Sequence, residues 1–200
     1  MLHGIIALGL SPDTIATCHR IVSDELEHAE LSRAALLAAG GEDGAIAMSR
    51  ESLSLPHAPG QPLELRLLAA TADLFCCGET VALPLFLALR GDEQDGVVEP
   101  AAVVALERIV RDEAVHRAFG WELLDELLER CGEPGAAWLR PRVPGFVERI
   151  LAAYQAEDPG CTPEERGWGL MAPRRYAEIT RRCVDEVIRP RFAARGLGPA

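Results

Sequence analysis

Lysine is missing from this chain altogether. All 20 basic residues are arginine, set against 31 acids, and the net charge is −11. Such a deficit of positive charge speaks against a nucleic-acid partner, which needs a basic face to release the counterions of phosphates. The lack of lysine itself reads as base composition of the coding sequence rather than function. Aromatic residues are scarce at 5%, although hydrophobic residues reach 48%, most of them alanine and leucine. Strands draw on β-branched and aromatic side chains, so this balance favours packed helices. The longest apolar run, 81–89, falls far short of the ~20 residues that span a bilayer. The first ten residues lack the basic start and long apolar stretch of a secretion signal. Cys18, Cys76, Cys77, Cys131, Cys161 and Cys183 form no C-x-x-C pair and are expected as reduced thiols. A cytoplasmic location with no membrane partner is therefore expected.

Punctuation residues divide the chain. Ser11-Pro12-Asp13 combines an N-cap, an N1 proline and a first-turn acid, and predicts a helix to Gly40-Gly41. A Pro- and Gly-rich loop follows, and Pro62 opens a second long helix to about Arg90. Pro84 within it predicts a kink. After a short polar connection, 91–96, Pro100 opens a third helix to about Cys131. Beyond Gly132 prolines chop the chain into shorter helices, with capping-box spacing at Thr162-Pro163-Glu164-Glu165 and a last helix from about Arg174 that stops at Pro190. Residues 1–131 are expected to form a helical bundle and residues 132–200 a helical extension packed on it, joined by Trp121, Trp138 and Trp168. The arginines of the tail alternate with acids and predict a solvated helix face.

An internal repeat carries most of the functional information. Residues 20–28, Arg-Ile-Val-Ser-Asp-Glu-Leu-Glu-His, match residues 108–116, Arg-Ile-Val-Arg-Asp-Glu-Ala-Val-His, at six of nine positions. Each copy contains Glu-x-x-His, which on a helix places both side chains on one face one turn apart. Val22, Leu26, Ala29 and Leu36 predict a buried stripe around Glu25 and His28. Val103, Leu106 and Val110 do the same for Glu113 and His116. A carboxylate and an imidazole buried together are costly unless paired or bound to a cation. Glu79, between Phe75 and Phe86 on the apolar side of the middle helix, adds a third inward acid. Glu25, His28, Glu79, Glu113 and His116 are thus candidate metal ligands. Asp24 and Asp112 are either partners of those ligands or plain sequence neighbours, and Cys76 is core filler or a border of the metal pocket. His3, His19 and His57 show no partner spacing.

The order Glu25-x-x-His28, Glu79, Glu113-x-x-His116 resembles the second, third and fourth helices of the ferritin-like superfamily, in which two helices give one Glu each and two give Glu-x-x-His. The 34-residue step from Glu79 to Glu113 is also similar. Ala7-Leu8-Gly9 and Glu186-Val187-Ile188-Arg189-Pro190 further resemble bacterial proteins carrying a ferritin-like domain. That resemblance implies an all-α antiparallel bundle with a short or truncated first helix, and two iron ions, or a manganese–iron pair, as cofactor. It departs at one point: the repeat places a partner for Glu79 34 residues before Glu25, upstream of Met1. A truncated start, an acid from another subunit or from the extension, or a three-carboxylate site would each account for this. Four glutamates neutralise two divalent ions; three leave one positive charge and an open position for an anion. The leading expectation is a nonhaem dimetal oxidoreductase using dioxygen or peroxide, with an undefined small-molecule substrate or electron donor and a homodimer as the oligomeric alternative. Iron storage and a metal-free helical scaffold are the rival readings. No separate acid, base or nucleophile stands out.

Overall fold

A computed structural model describes residues 1–44, 55, 57–91, 96–155 and 160–198. Every regular element among them is helical. Much of the expected loop 40–61 and of the connection 91–96 lies outside the described residues. Helix α1 spans Leu2–Leu8 and α2 spans Pro12–Ala38. Ser11 caps α2 as expected, its Oγ accepting from the Thr14 amide at 3.1 Å, with Pro12 at the first position and Asp13 in the first turn.

From Leu63 to Arg90 the backbone is helical without a break. It comprises α3 (Leu63–Ala70), a π-helical stretch (Thr71–Glu79) and α4 (Thr80–Arg90). By length and composition this 28-residue helix is apolar enough to cross a membrane. Here it lies in the middle of the protein, against α5 on one side and later helices on the other, and it carries Asp73 and Glu79. The departure from α geometry falls upstream of Pro84, in the π stretch. Pro84 has no N–H to offer the Thr80 carbonyl. That oxygen instead accepts the Cys183 thiol at 3.3 Å, while the Thr80 hydroxyl accepts the Trp121 indole at 3.0 Å.

Helix α5, Pro100–Leu139, is broken at Gly132 (φ 60°, ψ −162°), where the sequence predicts the end of the third helix. That backbone conformation suits only glycine. Arg140–Arg142 forms a single 3-10 turn, followed by α6 (Val143–Ala153), α7 (Pro163–Gly167) and α8 (Pro173–Cys183). Thr162 and Glu165 form the expected capping box of α7. The last helix does not stop at Pro190. A second π stretch, Val184–Ile188, leads into α9 (Arg189–Ala194), and the backbone passes helically through the proline. A widened turn ahead of a proline relieves the clash of its ring with the carbonyl four residues back.

One apolar core runs from Ile5 through Leu67, Leu124 and Leu127 to Val184, Ile188 and Phe192, so helices on both sides of Gly132 share it. Helix α6 packs on the first π stretch and α8 on α4. Trp121 is buried edge-on to Phe192, with ring centroids 5.0 Å apart, and links α5 to α9. Trp138 and Trp168 are half-buried. Gly120 lets α5 approach the π stretch closely, since a Cβ there would stand 2.5 Å from the Phe75 Cβ. The tail arginines are solvated, several in pairs such as Arg174–Glu178 at 3.0 Å and Arg189–Asp185 at 3.2 Å.

Candidate metal centre

Three elements bring the site together. Helix α2 lays Ile21, Asp24 and His28 against α5, which answers with Asp112, Glu113 and His116, all buried. The π stretch of the middle helix ends on Glu79. The inward face of α2 corrects the sequence reading. Val22, Leu26 and Leu36 are 43%, 66% and 52% exposed, and the buried positions lie about 100° round the helix from Val22. The Glu25 side chain, on the boundary between these faces, is 51% exposed.

Oxygen or nitrogen atoms of Glu25, Glu79, Glu113 and His116 all lie within 4.8 Å of one another. His28 stands at the edge of this group, its Nδ1 3.8 Å from Glu25 Oε1 and its ring centroid 5.7 Å from that of His116. The two histidines are held crosswise. His28 Nε2 meets Asp112 of the other repeat at 3.1 Å, and His116 Nε2 meets Asp24 at 3.4 Å. Each aspartate that precedes a glutamate therefore serves the histidine of the opposite helix, and both rings turn Nδ1 toward Glu25. An aspartate on Nε2 fixes the ring orientation and raises the basicity of the nitrogen facing the cluster.

Charge inside the cluster is uncompensated by protein alone. Burial pushes the Glu113 carboxyl up to about 9, and the like charge of Glu79 beside it adds to the shift. Burial also raises Glu79. Glu25 is held below the usual range, chiefly by the imidazole of His116. Burial works against a charged His116, yet Glu25 and Asp24 beside the ring raise its proton affinity above the ordinary value. Burial opposes ionisation of Asp112, but His28 and Arg108 hold its carboxyl low. Two buried polar atoms of the cluster, Glu113 Oε2 and His116 Nδ1, have no hydrogen-bond partner. Nδ1 lies 3.1 Å from Glu25 Oε1 but is not aligned to bond to it.

No family model, no curated protein and no solved structure matches this chain. The arrangement therefore has to be read from its own atoms. Three carboxylates and an imidazole within 4.8 Å, two of them with orphaned ligand atoms, form a donor set that suits a hard or borderline divalent ion. Among the described residues the extension adds no acid to this group. Cys76 is core, its thiol donating to the Gly120 carbonyl at 3.4 Å.

Sequence reasoning missed Arg108. Its guanidinium joins Asp24 at 3.2 Å, Glu27 at 2.9 Å and Asp112, and so ties the two repeats together beneath the histidines. The signal was available, because Arg20 and Arg108 hold the same place in the repeat, four residues before its aspartate. Arg20 lies 3.7 Å from Asp24.

Proposed function

We propose that this protein is a ferritin-like nonhaem dimetal carboxylate protein, with Glu25, His28, Glu79, Glu113 and His116 as ligands to two iron ions or a manganese–iron pair. The reading rests on one observation: a ring of acids and imidazole with two orphaned buried ligand atoms at the meeting point of a repeated Asp-Glu-x-x-His motif. Glu79, Glu113 and His116 form the enclosed part of the donor set, and Glu25 with His28 the part next to solvent. The bound ions would supply redox chemistry with dioxygen or peroxide, which the side chains cannot perform themselves.

The residues of this chain have defined tasks in that reading. Asp24 and Asp112 hold the imidazoles with Nδ1 forward, and Arg108 holds both aspartates. Glu113, pushed up to about 9 by burial, holds a proton in the metal-free protein and releases it when a cation arrives.

Metal analysis after aerobic and anaerobic reconstitution tests the proposal. About two ions per chain, lost in Glu113→Ala, supports it. Oxygen consumption with a reductant at that stoichiometry supports an oxidoreductase, whereas uptake of many irons per chain favours storage. Failure to hold any transition metal leaves the scaffold reading and overturns the proposal.

A further inference from the structure

On another face of the first π stretch, six residues before Glu79, Asp73 belongs to a separate polar group. His57 Nε2 and Arg149 Nη2 both meet Asp73 Oδ2, at 2.9 Å and 2.8 Å. These side chains line an open cavity of 410 Å³ together with Ala58, Ala69, Arg142 and Phe146. The cavity is built from regular elements. Arg142, Phe146 and Arg149 recur along one face of the 3-10 turn and α6, and Ala69 and Asp73 lie one turn apart on the middle helix. The small side chain of Ala69 leaves the room between them.

We propose that this cavity binds a small molecule through an oxyanion, a phosphate or a carboxylate, held by Arg142 and Arg149 with His57 beside them. Four observations carry this. The chain as a whole has a net charge of −11, yet this cavity holds two arginines and a histidine against the single acid Asp73. Asp73 pairs with the guanidinium of Arg149, and among the described residues Arg142, which donates to the Trp138 carbonyl, meets no acid while lining the same space. Both guanidiniums are preset over aromatic rings, Arg142 3.8 Å from the Trp138 centroid and Arg149 4.9 Å from that of Phe146. Arginine planes fixed in this way lose little freedom on clasping a planar or tetrahedral anion. Finally, His57 Nδ1 is buried without a hydrogen-bond partner, and its neighbour Ala58 has φ 46°, the one non-glycine residue with positive φ among those described. Strain of this kind, beside a polar side chain with an unused nitrogen, collects at ligand sites.

The volume exceeds what a bare ion needs and suits a small organic anion. The site shares no residue with the metal cluster, so it stands or falls independently of the metal assignment.

Titration calorimetry of the full chain at low chloride, with inorganic phosphate in one series and succinate in another, tests the proposal. Saturable binding at one site in the millimolar range or tighter is expected for at least one of them, and which one binds identifies the oxyanion. Arg142→Gln removes a guanidinium without touching Asp73 and is expected to weaken binding about tenfold or more. Metal content and thermal midpoint should not change in this variant. His57→Gln gives a second, independent loss of affinity. Absence of saturable binding for both anions, or binding that Arg142→Gln and Arg149→Gln leave intact, overturns the proposal.

Discussion

Asp24 on α2 serves His116 on α5, 3.4 Å away and 92 positions along the chain. The reciprocal contact of Asp112 with His28 makes the two copies of the repeat interlock. Each copy is incomplete without the other, because a copy's aspartate steadies a ring it does not carry.

That exchange has a direct test. Asp112→Asn removes the charged partner of the His28 ring and weakens the hold of Arg108. Metal affinity is expected to fall about 10- to 100-fold, read from competition with a chromophoric chelator. Retention of wild-type affinity would deny the aspartates any role in metal binding.

Glu113→Gln separates binding from folding. A glutamine resembles the protonated carboxyl that burial enforces at this position, and it removes the conflict with Glu79. Metal should be lost while the metal-free protein gains on the order of 1 kcal/mol or more at neutral pH, measured by denaturant titration.

The pH dependence of the metal-free protein follows in sign. The folded Glu113 carboxyl titrates near 9 against an ordinary 4.5, so the folded state binds the proton more tightly than the unfolded chain. Stability from this group is full below the ordinary value and is lost as pH rises toward about 9. His116, also raised, acts in the same direction: its contribution is present below 6.5 and fades as pH climbs through its folded value. The difference in thermal midpoint between metal-loaded and metal-free protein should widen between pH 5 and pH 8. A constant difference across that range contradicts the assignment.

Gly120→Ala tests the close approach of α5 to the π stretch. The added methyl group meets Phe75 Cβ at 2.5 Å and Phe75 backbone atoms at 3.2–3.3 Å. Since backbone cannot step aside cheaply, a loss of about 1–3 kcal/mol is expected, with a parallel loss of metal affinity as Glu79 shifts relative to Glu113.

The orientation of α2 is open to mutation as well. Ile21→Ala, at a position 4% exposed, should cost about 2–4 kcal/mol, whereas Leu26→Ala, at 66% exposed, should stay within about 0.5 kcal/mol. The opposite order would restore the stripe predicted from sequence.

That stripe shows where legibility ended. Pro62, Pro100 and Gly132 punctuate the helices where the sequence places them, and the repeat together with the middle helix brings Glu25, Glu79, Glu113 and His116 to one point. The face of α2 was misread because the wall against α5 is built partly from Asp24 and His28, which any search for apolar periodicity passes over. The π stretches were invisible for a different reason. The second widens the turn ahead of Pro190, the first ends before the Thr80–Pro84 turn, and no residue pattern announces either. His57 and Asp73 meet across the start of the middle helix, where spacing along the chain carries no period at all.

Unequal exposure of Glu25 and Glu113 gives the cluster a direction. Over the described residues, solvent touches it most at the half-exposed Glu25 and less at Glu79, while Glu113 stays sealed at 4%. If two ions bind as proposed, the one near Glu25 and His28 is the more open, and a chelator would strip the two in separate kinetic stages.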